Sequence, residues 1–344
     1  MSGGVDSSVA AFLLKKAGFR VEGAFIKFWF WKKHKNYNQE LEKKVRKIAN
    51  ELEIPLHIFD LSREFKKEVV DYFIKEYSLG RTPNPCPVCN RFIKFGLFLK
   101  KARNLGADLI ATGHYVRLKK IDGKFHLFTA KDKKRDQSYF LYTLNQNQLK
   151  YVIFPLGDYL KKYVRQMAQQ LSLSVDFNES RGLCFLGQNN FREFLKKNIK
   201  SKEGPIKDVQ SGKILGRHLG LPFYTIGQRE AINIGGTGPY YVVDLDFKKN
   251  ILWVVHRSQE SLLYKRELIV KEVNWILGNA LPDNSIIRAR IRYGHPSNLV
   301  TIKKIQKYKY HLLFKLPQRA ITPGQAAVFY DILGKELLGG GIIC

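Results

Sequence analysis

The sequence is short of acid. Its 344 residues hold 30 aspartates and glutamates against 59 lysines and arginines, a formal net charge of +29. That balance points to a polyanionic partner, because each phosphate neutralised releases condensed counterions. A lysine-rich surface with no such partner is the plainer alternative. Long apolar runs are lacking too. No stretch reaches the roughly 18 to 20 residues of a membrane span, and none at the start reads as a signal peptide. A cytoplasmic protein with no membrane partner is therefore expected. Cysteine is scarce, with four residues, which excludes a disulfide scaffold and leaves room for a few reduced, reactive thiols. What remains is ordinary. Hydrophobic residues at 44% and charged residues at 26% suit a globular protein with real cores, and at roughly 150 residues per domain the length suggests two or three domains.

Up to about residue 203, short apolar runs alternate with helical patterns. Val21–Phe28, Leu56–Leu61 and Asp108–Thr112 read as strands, and Leu41, Val45, Ile48 and Leu52 are spaced as one face of a helix between the first two. A second helix, after Asn90, would turn Phe92, Phe95, Leu99 and Ala102 inward. Such alternation predicts an α/β fold with a doubly wound, mostly parallel sheet. A hairpin about Asp122-Gly123 interrupts it. From about residue 204 the helical periodicity fades, and Tyr240–Leu245 and Ile251–Val255 form a hairpin closed at Lys249-Asn250. From about 265, period-two strands dominate. Ile287, Ala289, Ile291 and Tyr293 take one face against Arg288, Arg290 and Arg292, and Tyr308, Tyr310, Leu312, Phe314 and Leu316 repeat the pattern. These short strands predict a small C-terminal β-barrel.

Three places carry chemistry. Ser2-Gly3-Gly4-Val5-Asp6-Ser7-Ser8 runs straight into a helical stretch. Its glycines let backbone N–H groups face an anion, its serines add hydroxyl donors, and the helix offers its positive end. Asp6 could hold a phosphate-bridging Mg²⁺ or receive a backbone donor. The segment is no Walker motif, since GK[ST] is missing. In Thr82-Pro83-Asn84-Pro85-Cys86-Pro87-Val88-Cys89-Asn90 the prolines fix an extended stretch leading into a helix. Cys89 just before that helix would be biased towards thiolate. The pair Cys86/Cys89 alone fits a redox couple, half a zinc site or chance, and the second zinc half-site is absent. Cys184, between Leu183 and Phe185, reads by itself more often as buried filler than as a nucleophile.

Taken in order, SGGVDSS (Ser2–Ser8), TPNPCPVCNRFIKF (Thr82–Phe95), ATGHY (Ala111–Tyr115), DQSYFLY (Asp136–Tyr142), GLCF (Gly182–Phe185), YTIGQR (Tyr224–Arg229) and TPGQAAVFY (Thr322–Tyr330) resemble the motifs of tRNA-specific 2-thiouridylases, PP-loop ATP pyrophosphatases, over essentially the whole chain. The resemblance implies three parts. Residues 1–203 would be the PP-loop catalytic domain, 204–262 a small central domain, and 263–344 a tRNA-contacting β-barrel. It implies ATP with Mg²⁺, adenylation of the C2 oxygen of the wobble uridine, and sulfur delivered from a persulfide on Cys184. Cys89 would be the second catalytic cysteine, freeing the sulfur or closing a Cys89–Cys184 disulfide. Ser2, Gly3, Gly4, Val5, Asp6, Ser7, Ser8 and Gly113 would line ATP, with Ile26 on the adenine side. Asn84, Pro85 and Cys86 would touch the target base, and Arg135, Asp136, Gln137, Arg292 and Tyr293 would touch tRNA. A cysteine desulfurase or sulfur-relay carrier would supply persulfide or sulfide.

Two departures from the family pattern stand out. A strand normally precedes the PP-loop, and here only Met1 does, so a start roughly ten residues upstream is expected, about one to two strand lengths. Cys86 replaces an aspartate of many relatives. With Cys89 and Cys184 it makes three thiols, the number that holds a [4Fe–4S] cluster with one iron open, which could carry hydrosulfide instead of a persulfide. Ligases of the same superfamily need no paired cysteines, and a plain RNA-binding barrel protein needs no pyrophosphatase loop.

Overall fold

The structure is a computed structural model that describes residues 1–31, 36–177, 182–187, 190–232, 234–235 and 238–344. Its first layer is α/β. β1 (Gly23–Lys27) runs parallel to β2 (Leu56–Asp60), and β3 (Ile110–Ala111) runs parallel to β6 (Val152–Ile153). The crossover from β1 to β2 is the helix Tyr37–Glu51, which buries Val45 and Ile48, with Leu52 at its C-terminal cap, as the spacing predicts. The doubly wound, parallel arrangement is thus present, in two two-stranded pieces. Met1 lies on the edge of β1 away from β2, its amine donating to the Ala24 carbonyl.

The expected helix after Asn90 starts earlier and is wound differently. Residues 85–104 form one helical run: Pro85–Val88, then a π-helix over Cys89–Phe98, then Leu99–Asn104. In the π-helix, hydrogen bonds reach from i to i+5, so residues three apart no longer share a face. Ile93, Phe95, Phe98, Leu99 and Ala102 are buried. Phe92, expected inward, is 40% exposed, with the Arg91 guanidinium over its ring.

The hairpin β4 (Val116–Ile121) and β5 (Lys124–Thr129) turns through Asp122 (φ 48°) and Gly123 (φ 76°), the left-handed pair that an Asp-Gly turn supplies. After it come β7 (Gly204–Asp208), β8 (Ile214–His218), β9 (Tyr240–Asp246) and β10 (Ile251–His256), in the sheet order β8-β7-β10-β9. The β9–β10 turn carries Asn250 at φ 53°.

The last six strands close a barrel. They are β11 (Tyr264–Trp275), β12 (Ser285–Arg290), β13 (Asn298–Gln306), β14 (Lys309–Arg319), β15 (Ala326–Tyr330) and β16 (Glu336–Ile343), ordered β11-β14-β13-β12-β15-β16, with β16 returning to β11. Closure is steric. A Cβ on Gly339 would sit 2.1 Å from the Asn274 carbonyl oxygen, so only glycine lets β16 approach β11 there. Ile287, Ala289, Leu312, Phe314 and Phe329 fill the interior, each large side chain stabilising by about 2 kcal/mol. The alternating patterns run out at the strand ends. Tyr293 (41% exposed) lies beyond β12, while Tyr308 and Leu316 are exposed because the first is in the β13–β14 turn and the second lies past the barrel interior. The β4–β5 hairpin joins the barrel sheet through Leu127↔Leu337 and Phe128↔Glu336.

Candidate active site

The Ser2–Ser8 segment turns sharply into a helix. Gly3 adopts φ 80° and Gly4 caps the helix Val5–Lys16. Ser7 and Ser8 hydroxyls donate to the Gly4 carbonyl, and the Ser2 N–H donates to Ser7 Oγ. Gly113 is pressed against this turn. A Cβ there would lie 2.8 Å from the Asp6 carbonyl carbon and 2.9 Å from the Ser7 nitrogen. Ile26 is half-buried on β1. Asp6 has partners that sequence reasoning missed. Its Oδ1 accepts from the Tyr115 hydroxyl at 2.8 Å and from Lys161 Nζ at 2.6 Å. Burial and the Asp6 charge hold the Tyr115 phenol far above its usual range. Tyr115 lies in the ATGHY motif, whereas Lys161 belongs to no recognised string.

Three cysteines lie nearby, within electrostatic reach of one another. Asn84 caps the first helical turn, its Oδ1 accepting from the Cys86 N–H, so Pro85 is buried and Cys86 stands exposed. Cys89 is therefore inside the helical run, not before it, and is buried. The expected dipole bias towards thiolate does not arise. Burial pushes the Cys89 thiol up to about 12, with Cys184 and Cys86 adding to the rise and Lys94 opposing it. Cys86 is pushed to about 11 by the crowding of protein around it, then by Cys184, against Lys94. The residue as a whole is nonetheless exposed, the combination found in a concave site, and that exposure tempers the rise. Cys184 is raised by the same crowding, again opposed by Lys94. It stands exposed because Phe185 next to it is locked into a ring cluster with Phe65, Phe73 and Phe194, and the Phe185 carbonyl accepts from the Trp31 N–H.

Lys94 is the cation common to the three thiols, one π-turn beyond Cys89. In an α-helix, position i+5 would sit about 140° round from i; the π-turn brings the pair onto one side. The lysine is visible in the motif string, but its place beside the thiols depends on a winding that no residue pattern announces. The thiols also neighbour the PP-loop. Tyr37 is held above its usual range by burial, then by Cys184, Glu40 and Asp176, and Asp176 bridges to Gly4. Among the described residues, no three His, Cys, Asp or Glu side chains converge closely enough to hold a metal ion.

The residues expected at tRNA divide. Asp136 is 4% exposed and its carboxylate faces inward, accepting from Ala130 N–H, Ser138 N–H and Ser138 Oγ, with Arg290 at 3.5 Å. Its own charge is spent inside the fold and is not offered to RNA. Gln137 is paired with the Tyr115 backbone in both directions. The DQSYFLY string proves to be the seat of the barrel: Ser138 meets the Tyr330 hydroxyl, Tyr139 donates to the Ala326 carbonyl, and Asn274 donates to the Tyr142 and Leu144 carbonyls. Tyr293 packs against Phe140 with ring centroids 4.5 Å apart, in the electrostatic reach of Arg135 and Cys86. Arg292 is half-buried and donates to Thr322 Oγ1. The remaining motifs converge on Thr82, which meets Thr225 Oγ1 at 3.1 Å, the Pro323 carbonyl and the Gln325 side chain.

Residues 1–188 match the family model described as the tRNA methyl transferase HUP domain, 192–256 the tRNA methyl transferase PRC-barrel domain, and 265–343 the aminomethyltransferase beta-barrel domain. A curated relative from Legionella pneumophila (strain Philadelphia 1), named tRNA-specific 2-thiouridylase MnmA, is 43% identical over 354 residues, covering 100% of this chain and 96% of its own length. Relatives of the same name from Mycoplasma capricolum and Clostridium botulinum (strain Okra) are 42% and 40% identical, again over 100% of this chain and 96% of theirs. The chain belongs to the tRNA-specific 2-thiouridylase family. The three parts of this thiouridylase-family fold are the α/β layer, the β7–β10 sheet and the closed barrel. Among the described residues, no helix is long and apolar enough to cross a membrane.

Proposed function

We propose that this protein is an ATP-dependent tRNA-uridine 2-sulfurtransferase acting on the wobble uridine. The observation that carries the reading is that Cys184, Cys86 and Cys89 lie within electrostatic reach of one another and of Lys94, beside a PP-loop. When bound, ATP supplies an adenylyl group that turns the C2 oxygen of uridine into a leaving group. The chain's part is to cradle the phosphates with the Ser2–Ser8 backbone and hydroxyls and to keep Gly113 out of their way. A nucleotide-bound Mg²⁺ asks the protein for only one or two carboxylates. Asp6 Oδ2, which accepts no hydrogen bond among the described residues, would serve.

Sulfur transfer then needs an exposed acceptor and a sheltered resolver. Cys184, exposed, takes a persulfide from a donor protein. Its terminal sulfur attacks C2, and AMP leaves with the original oxygen. The Cys89 thiolate attacks Cys184 Sγ, the sulfur–sulfur bond to the product breaks, and 2-thiouridine departs as a Cys89–Cys184 disulfide forms. A cellular thiol reduces that disulfide afterwards. Lys94 favours each anion as it appears, and the high resting thiol pKa values keep the cysteines protonated until then. Arg135, Arg292 and Tyr293 would meet the tRNA, and Asn84, Pro85 and Cys86 the target base, within the three-domain division at 203 and 262. Incubation with ATP, tRNA and a persulfide donor should release AMP and pyrophosphate and yield 2-thiouridine. ATP turnover indifferent to tRNA would sink the reading.

A further inference from the structure

Lys161 opens the helix Lys161–Gln170. Helix starts favour anionic side chains, because the aligned peptide dipoles leave partial positive charge there; a cation in the first turn is unfavourable by a few tenths of a kcal/mol or more. Lys161 nevertheless stands there, held from two sides. Its main-chain N–H donates to Asp132 Oδ2 at 3.0 Å, and its ammonium lies 2.6 Å from Asp6 Oδ1, its side chain only 13% exposed. A second cation beside the loop among the described residues, Lys44, packs over Gly3 and is 3.5 Å from Asp176.

The PP-loop otherwise offers neutral donors only: backbone N–H groups and serine hydroxyls. Those suit an anion's geometry, but a triphosphate brings several negative charges. Breaking the bond between the α-phosphorus and the bridging oxygen leaves that bond's electron pair on pyrophosphate, which must be stabilised as the uridine oxygen replaces it on phosphorus. A half-buried ammonium already at the loop can meet that charge with little reorganisation.

We infer that Lys161 is the pyrophosphate-binding cation of the PP-loop, paired with Asp6 and passing to the leaving phosphates when nucleotide is bound. This rests on the ATP-dependent reading above. Lysine without that role would be a helix-to-helix strut, and the two can be told apart. Lys161→Met should weaken inhibition by inorganic pyrophosphate about tenfold or more and lower kcat for tRNA-dependent AMP formation on the order of a hundredfold. Lys161→Arg should recover most of both, and tRNA affinity should stay as in the wild type. If Lys161→Met folds poorly, Asp6→Asn answers in its place. In Mg²⁺-free buffer that change frees Lys161, so pyrophosphate should bind at least as tightly as to the wild type. Wild-type pyrophosphate inhibition in Lys161→Met, or weaker binding in Asp6→Asn, overturns the assignment while leaving the enzyme reading standing. Absence of tRNA-dependent AMP formation in the wild type removes the reading itself, and Lys161's role with it.

Discussion

Cys184 differs from Cys89 mainly in what solvent can reach. Phe185 is pinned in a ring cluster and holds its neighbour's thiol outward, while the helical run buries Cys89. Cys184→Ser should therefore abolish 2-thiouridine formation yet leave tRNA affinity and pyrophosphate release near wild type, since only the sulfur acceptor is lost. Normal thiolation by this variant would refute the persulfide route. The thiols also make a pH prediction. Against an ordinary value of 9.0, Cys86 is pushed up to about 11 and Cys89 to about 12. Raised values mean that the folded state holds these protons more tightly than the unfolded chain does. The associated stability is fully present below about pH 9 and is lost as pH rises from there towards 11 and 12. Alkylation of Cys86 in the native protein should accelerate with pH well past 9; a rate that levels off near 9 would show that crowding leaves this thiol unperturbed.

Elements place these residues more strictly than the residues place themselves. The strand-to-loop turn after β3 brings Gly113 onto the start of the Val5–Lys16 helix with no room for a Cβ. The nearest atoms there are backbone, so nothing can rotate aside. Gly113→Ala should push Asp6 and Ser7 from their positions and reduce pyrophosphate release by about tenfold or more, with tRNA binding retained. An unimpaired Gly113→Ala enzyme would mean that the loop moves freely and that its resting geometry is not the working one. The π-helix over Cys89–Phe98 acts similarly: it sets Lys94 on the side of Cys89, which an α-helix of the same sequence would not do.

Across the whole molecule, the barrel is seated on the catalytic domain by the stretch that directly follows Arg135, Asp136 and Gln137, the residues expected at tRNA. Ser138, Tyr139 and the Tyr142 carbonyl bind the barrel, and Asp136 lies under Arg290. Barrel residues consequently reach the cysteine site: Tyr293 stands over Phe140 within electrostatic reach of Cys86. Arg292, beside it, is half-buried, and burial lowers its pKa, so its charge is costly to keep without an anion. Arg292→Ala should weaken tRNA binding and make the log–log salt dependence shallower by about one unit or less. An unchanged slope would leave Arg292 with only its bond to Thr322.

The sequence by itself determined what backbone chemistry decides locally. Gly3-Gly4 make a tight turn into the helix that follows. Asp122-Gly123 and Asn250 make tight turns, and alternation makes the strands of a barrel. The motif order was enough to imply the family that the full-length relatives show. Only the tertiary structure decided which groups meet. Asp136 turns inward because Arg290 arrives from the barrel, Cys89 is buried because the helix begins at Pro85 and not after Asn90, and Lys161 finds Asp6 across the sequence. Each of these depends on burial and charge supplied by a distant segment, and no local spacing encodes where a distant segment will pack.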